Sequence, residues 1–462
     1  MSKLIAHLRI EGRHYINGTF AASANGKTFE VRSPYSHDRI ADVSEATVED
    51  TNRAVAAAKA SFPAWSSLDI PTRGSYLKKM GSLIRESSQE LAQLDALSMG
   101  RPVSTYFDAM RAAEYFDHYA EAAWYCKGET SLSTPGFLNM TLRQPYGPVA
   151  AIIPWNIPVA MWASKVAPAV AAGCTVVLKS SEKAPLGSAK LASLADRAGF
   201  PPGVINVLNG HGTPCGSTLA SHIDIRLINF TGSTATGRKI QAAAASSNLK
   251  KVINELGGKS PTLVFDDANV ADAAEETARS LLLNSGQICM AGTRIYVQEP
   301  VAEHFKSAFV KCFRSAQTGD PLLPTTQQGP QADRLQFQRV KEYLAAAKAD
   351  GRGTLLTGGK AAHEDGEGGY FIEPTAYSNV PEDAKTQKEE IFGPFVNINT
   401  FKTESEAIAL ANATEFGLYA SVYTRDLSRA VRIAKAFEAG AIGVNCTRKG
   451  GIRVQSSRVL GD

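Results

Sequence analysis

A thiol and a carboxylate carry the chemistry that the sequence offers. Cys289 stands in Asn284-Ser285-Gly286-Gln287-Ile288-Cys289-Met290-Ala291-Gly292-Thr293-Arg294, and Glu255 lies upstream in Asn254-Glu255-Leu256-Gly257-Gly258-Lys259-Ser260-Pro261. A thiolate attacks an electrophilic carbon, and a carboxylate later activates the water that releases the covalent product. A cysteine is more often a small buried hydrophobe, the reading given to Cys126, Cys174, Cys215, Cys312 and Cys446. Cys289 differs in its frame: small polar residues precede it, and Ala291 and Gly292 follow, so backbone can approach a reacting carbonyl closely.

Two such residues need a scaffold to hold them. Residues 47–125 carry apolar side chains at helical spacing, as in Leu77, Met80, Leu83 and Ile84. From Val149 short apolar runs alternate with helical segments: 149–153, 175–178, 204–208, 227–230 and 252–255. Repeated strand-helix-strand units predict a parallel sheet flanked by helices. The same grammar restarts after Pro261, with a strand over 262–265, a helix over 268–284 that delivers the cysteine loop, and a strand over 294–298. The glycine-rich, charged interval 350–370 reads as a surface loop or hairpin. The apolar stretch 148–178 is no membrane span, because Pro154, Asn156, Pro158, Lys165 and Pro168 punctuate it.

Composition narrows the function classes. The chain has 462 residues, 44% of them hydrophobic and 20% charged, and a net charge of +4 that is too small and dispersed to argue for nucleic acid. Small molecules are the expected partners. The six cysteines show no paired or metal-ligand spacing, so reduced thiols and no metal are expected. No signal peptide is legible in residues 1–20, and the cytosol is the default location.

Three further motifs stand at the ends of predicted strands, and a fourth lies toward the other end of the chain. Thr231-Gly232-Ser233-Thr234-Ala235-Thr236-Gly237 joins a strand to a helix, which either presents amides to a phosphate or is an ordinary capped helix. Lys179 and Glu182 close another strand, where a carboxylate accepts hydrogen bonds from ribose hydroxyls; a solvated turn with two charges is the plainer reading. Pro154-Trp155-Asn156-Ile157-Pro158 breaks the chain after 149–153, and Asn156 offers either an amide donor for an oxyanion or a helix cap. In Glu389-Glu390-Ile391-Phe392-Gly393-Pro394 an acid and an aromatic stand two residues apart, on one side of an extended segment.

Together with the cysteine and glutamate motifs, these resemble the aldehyde dehydrogenase superfamily in order and spacing from about residue 15 to Cys446. The resemblance implies an α/β fold of two Rossmann-like parallel-sheet lobes with a partial oligomerisation extension. It assigns residues 1–125 and 147–260 to NAD binding, 126–146 to bridging strands and 261–446 to catalysis. It implies that Cys289 is the nucleophile, Glu255 the general base, and Asn156 with the Cys289 amide the oxyanion hole. Trp155, Lys179, Glu182, Gly232, Ser233, Leu256, Glu390 and Phe392 are then the NAD contacts. Glu182 would repel a 2′-phosphate, which favours NAD over NADP. The implied reaction oxidises an aldehyde to a carboxylic acid through a thiohemiacetal and a thioester on Cys289.

Two departures bear on substrate and assembly. Ile157 and Ser164 stand where the family often has aromatic residues, so a wider pocket and a preference for bulky or aromatic aldehydes are expected. The segment 447–462 is basic and poor in apolar residues, where family members continue with a glycine-rich segment, a helix and a strand of the oligomerisation sheet. Back-translated one nucleotide along, 451–456 permits Gly-Tyr-Gly-Ser, so either a genuine truncation or a shifted reading frame, and with it a compromised homo-oligomer, is expected. The rival readings are a truncated, catalytically weak cofactor-binding protein and an esterase that uses Cys289 and Glu255 without hydride transfer.

Overall fold

The computed structural model describes residues 8–363 and 368–447. The chain divides into two compact units. One takes in the chain up to Val31, Arg39–Ser98 and Phe107–Glu255; the other takes in Arg32–Asp38, Met99–Tyr106 and the chain from Leu256 onward. Both are α/β units built on a seven-stranded sheet.

The first unit opens with β1 (His14–Ile16) and β2 (Thr19–Ala21), followed by the pair β3 (Thr28–Arg32) and β4 (Arg39–Ser44). The expected helices are α1 (Val48–Ser66), α2 (Ile70–Glu86), α3 (Ser88–Met99) and α4 (Asp108–Ala122). Thr47 and Asp50 form a capping box that starts α1, and the Asp69 carboxylate accepts from the Thr72 N–H to start α2. Next, among the described residues β5 (Thr130–Ser131) and β6 (Asn139–Met140) pair only with each other, and Leu132, Phe137, Leu138 and Met140 around them are exposed.

The parallel layer of this unit then follows as β7 (Pro148–Ile152), α5 (Pro158–Ala171), β8 (Thr175–Lys179), α6 (Leu186–Ala198), β9 (Ile205–Leu208), α7 (Ser217–Ser221), β10 (Leu227–Thr231), α8 (Thr234–Ala245) and β11 (Lys251–Glu255). Every residue of β7, β8 and β9 is buried, which is why these strands read as mostly apolar runs. The strand order is β11-β10-β7-β8-β9-β1-β2, parallel from β11 to β9 and closed at one edge by the antiparallel β1. The winding therefore reverses at β7, and ligands of such sheets bind beyond the carboxyl ends of the strands at a reversal of this kind.

The second unit runs β12 (Pro261–Val264), α9 (Val270–Leu282), β13 (Arg294–Gln298), α10 (Ala302–Arg314), α11 (Arg334–Asp350), β14 (Thr354–Thr357), β15 (Thr375–Ser378), α12 (Lys385–Lys388), β16 (Phe395–Phe401), α13 (Glu404–Asn412), β17 (Tyr419–Tyr423), α14 (Leu427–Ala436) and β18 (Ala441–Val444). Its order is β14-β15-β16-β13-β12-β17-β18, parallel except for β14. Ala274, Ala278 and Leu281 of α9 pack with Phe305, Phe309 and Phe313 of α10 over Val264, Ile295 and Ile398 of the sheet. This core is the base from which α9 projects the cysteine loop.

The structure refines two expectations and leaves two others outside the described residues. The interval 350–370 contains a strand, β14, because Leu355 and Thr357 pair with Tyr377 and Ala376 of β15. The helix before Cys289 ends at Leu282, two residues sooner than its sequence pattern indicates. Gly366 in the glycine-rich interval and the tail 448–462 lie outside the described residues. Among the described residues no helix is long and apolar enough to cross a membrane, and the stretch 148–178 forms β7, a turn, α5 and β8.

Candidate active site

In the first unit, four strands deliver site residues at their carboxyl ends. Glu255 closes β11 opposite Thr231 of β10, and its carbonyl accepts from the Gly232 N–H at 3.1 Å. Burial pushes the Glu255 carboxyl up from the usual carboxylate range, and the ammonium of Lys165 pulls it back down. Lys165 lies on the buried face of α5, 4% exposed, with its Nζ 2.5 Å from Asn229 Oδ1 on β10. Burial lowers Lys165 and Glu255 opposes that, so the two charges sustain each other. Sequence reasoning used Lys165 only as punctuation and missed this role. The one signal was a lysine inside an otherwise apolar helix.

Asn156 is buried in the turn that leaves β7, where the winding reverses. The N-cap position of α5 is Ile157, which makes no side-chain cap bond, so Asn156 stands one residue before the cap position. Ile157, Met161 and Ser164 stand at i, i+4 and i+7, a half-buried face of α5. Trp155 precedes Asn156, with the Lys183 ammonium 5.2 Å from its ring centroid, a cation–π distance.

Lys179 ends β8 almost fully buried, donates to the Ser180 carbonyl at 2.8 Å, and has Glu182 Oε2 3.7 Å away. Burial lowers the lysine and Glu182 raises it, while the Glu182 side chain keeps 34% of its surface exposed. A carboxylate held this way has lone pairs left for hydroxyl donors. Ser233 is the N-cap of α8, its Oγ accepting from the Thr236 N–H at 3.3 Å. Of the two readings of this motif, the hydroxyl performs the cap, and the neighbouring helix amides keep the orientation that favours an anion. A Cβ at Gly232 would strike the Phe230 ring, so a larger residue here requires that ring to move.

In the second unit, Cys289 is half-buried on a loop shaped by three consecutive left-handed residues: Asn284 at φ 49°, Ser285 at 55° and Gly286 at 74°. Two of them are not glycine, and such backbone costs about 1 kcal/mol or more per residue unless its surroundings impose it. Here they do. Ser285 Oγ donates to the Gly329 carbonyl at 2.6 Å, Gln331 Nε2 donates to the Ser285 carbonyl at 3.3 Å, and Gln287 Oε1 accepts from the Ala332 N–H at 2.9 Å. A Cβ at Gly286 would run into the Gly393 carbonyl, and one at Gly258 into the carbonyl of Cys289. The glycines that frame the cysteine thus admit neighbouring backbone.

Leu256 is half-buried at the start of this unit. Glu390 rests on the bare Cα of Gly257, where a Cβ would collide with its carboxylate, and its Oε1 accepts from the Gly258 N–H at 3.2 Å. Burial raises its carboxyl, opposed by that N–H, Arg339 and Lys259. The segment is not the extended one expected. Phe392 is left-handed at φ 61°, with its carbonyl held by Gln336 Nε2 at 2.8 Å, and the chain becomes β16 only at Phe395. A period-two argument therefore does not apply to Glu390 and Phe392. Among the described residues no cluster of metal-ligating side chains is present.

Comparison with known proteins matches this arrangement to one family. The sequence profile of the Aldehyde dehydrogenase family matches residues 20–457. An aldehyde dehydrogenase of Davidiella tassiana is 44% identical over 93% of this chain and 86% of its own length. Retinal dehydrogenase 2 of Homo sapiens is 40% identical over 94% of this chain and 84% of its own. Among solved structures, the indole-3-acetaldehyde dehydrogenase of P. syringae, in complex with NAD+ and IAA, superposes with a TM-score of 0.93 at 38% identity. That alignment covers 96% of this chain and 90% of the other.

Proposed function

The chain belongs to the aldehyde dehydrogenase family, and from that premise we propose that Cys289 and Glu255 carry out the NAD-dependent oxidation of an aldehyde to a carboxylic acid. The observation that carries the reading is Glu255, a carboxyl made more basic by burial yet kept ionisable by Lys165, as a general base for water has to be.

The residues present suit NAD. Glu182 has free acceptor capacity for ribose hydroxyls beside the Lys179 ammonium, α8 offers its amino end beside Ser233, and the Gly257 Cα leaves room for a buried carboxylate at Glu390. On this reading Trp155, Lys179, Glu182, Gly232 and Ser233 of the first unit, and Leu256, Glu390 and Phe392 of the second, hold the cofactor. The first unit is then the NAD-binding part and the second the catalytic part.

The Cys289 thiolate attacks the aldehyde carbon, and the Asn156 side-chain amide and the Cys289 backbone N–H donate to the oxyanion that forms. Bound NAD supplies the acceptor for the hydride expelled as the thiohemiacetal collapses to a thioester. Glu255 then takes a proton from water, the resulting hydroxide attacks the thioester carbon, and the Cys289 thiolate leaves as the acid is released. One water is consumed per turnover.

For substrate, the face formed by Ile157, Met161 and Ser164 carries no aromatic ring, which supports a bulky or aromatic aldehyde, as do relatives named for retinal and indole-3-acetaldehyde. The exposed apolar side chains around β5 and β6 support a homo-oligomer. The absence of paired cysteine spacing in the sequence supports the cytosol. The test is NADH formation from an aldehyde panel by the wild type and Cys289→Ala. Turnover that persists in the variant refutes the assignment.

A further inference from the structure

Lys259 is a charge that the mechanism leaves unused. Its side chain is 1% exposed, and its Nζ has no hydrogen-bond partner among the described residues. It follows Gly257 and Gly258, the two residues against which the Glu390 carboxylate rests. Its own carbonyl is fixed by Arg294 Nε at 2.9 Å, so the backbone that presents the lysine is anchored to β13. Beside it also lies a small cavity lined by Ser260, Phe416, Tyr419 and Glu438, among others. A buried ammonium without a partner costs several kcal/mol unless something compensates it.

The charged groups that act on this ammonium come from three directions. Glu390 and Glu389 precede β16 and favour the cation; Arg294 on β13 opposes it. Tyr419 on β17 and Glu438 after α14 line the adjoining cavity. Arg339 on α11 acts on Glu390 from the far side and donates to its carbonyl at 2.9 Å.

We propose that the buried ammonium of Lys259 is a positioning charge for Glu390, one that weights the cofactor site toward the neutral ring of NADH and against the cationic ring of NAD+. The inference rests on the reading that Glu390 meets the nicotinamide ribose. While Lys259 is charged it offsets part of the Glu390 charge, so a cationic ring brought to that carboxylate gains less. When Lys259 is neutral, among the described residues only the Gly258 N–H and Arg339 still oppose the pull of the carboxylate on the ring. Burial places the titration of Lys259 at about 7, within reach of ordinary assays. NAD+ and the lysine proton therefore compete, and NAD+ binding releases a proton, whereas NADH, with a neutral ring, displaces it far less.

The experiment is calorimetric titration of the whole protein with NAD+ and with NADH at about pH 6 and about pH 8. A unit charge brought to roughly 12 Å at an effective dielectric constant near 20 lowers the lysine by about one unit, which makes NAD+ bind about fivefold more tightly at the higher pH. NADH affinity should change less than about twofold. Lys259→Arg, charged throughout, should hold NAD+ weakly at both pH values, and Lys259→Met should abolish the difference. Proton release by the wild type, read from heats in two buffers of different ionisation enthalpy, needs no variant. NAD+ affinity independent of pH in the wild type, or an unchanged dependence in both variants, overturns the inference. Glu390→Gln separates the two levels of the argument. If it binds NAD+ as tightly as the wild type, the ribose assignment itself fails; if it binds weakly while the Lys259 variants keep the wild-type profile, only the role of Lys259 fails.

Discussion

Replacing Lys165 with methionine removes the cation that, among the described residues, opposes the burial of Glu255. A unit charge acting across roughly 10 Å of protein at an effective dielectric constant near 20 contributes about 1.7 kcal/mol, or about 1.2 pH units. The wild-type Glu255 already titrates above the ordinary carboxylate range, and the variant should titrate higher still. The base is active when ionised, so its activity is present above its pKa and lost as pH falls through it. The acid limb of the kcat profile should move up by about one unit, making Lys165→Met roughly tenfold slower than the wild type on that limb and nearly equal well above it. Lys165→Arg, which keeps the charge, should retain most of the wild-type limb. The assay is steady-state NADH formation at saturating aldehyde from about pH 5 to pH 9, with thermal melts to confirm that each variant folds. An acid limb that stays in place in Lys165→Met would show that the Lys165 charge does not set the basicity of Glu255.

Three other outcomes follow from the same geometry. Gly286→Ala places a Cβ against the Gly393 carbonyl at a left-handed position, and should cost about 2–4 kcal/mol of stability by chemical denaturation and most of the activity. His14 is fully buried, accepts from the Asn209 N–H through Nδ1, and is lowered by burial from 6.5 to about 4. The unfolded chain takes up that proton first, so the contribution of His14 is complete above about pH 6.5 and is lost as pH falls toward 4, by about 3 kcal/mol. Urea melts of the wild type and His14→Gln at several pH values should differ in slope by that amount. Ile157→Phe should lower kcat/KM for a benzaldehyde relative to acetaldehyde by about tenfold, the range in which a pocket discriminates by size; an unchanged ratio would remove Ile157 from the substrate pocket.

The strands β7 to β9 were legible because strands buried on both faces are mostly apolar, and the glycines around Cys289 and Glu255 were legible because close backbone approach tolerates nothing larger. Features fixed by tertiary contact were not. The left-handed turn at Asn284 and Ser285 depends on hydrogen bonds to Gly329 and Gln331, more than forty residues away, so a helical pattern through 284 was indistinguishable from one ending at Leu282. The left-handed Phe392 depends in the same way on Gln336. β14 was hidden by its glycine-rich surroundings, although Leu355 and Leu356 were there to be read. Lys165 and Lys259 were missed because the charges they act on belong to other elements, Glu255 on β11 and Glu390 before β16.

The central claim is that Cys289 carries the acyl group and Glu255 releases it. Glu255→Gln should still form the thioester but hydrolyse it slowly. Mixed with an aromatic aldehyde and NAD, then quenched in acid, it should show the mass of one acyl group on the peptide that contains Cys289, with a single burst of NADH of about one per active site. An acyl group on another cysteine, or a burst of NADH with no adduct on Cys289, would contradict the account.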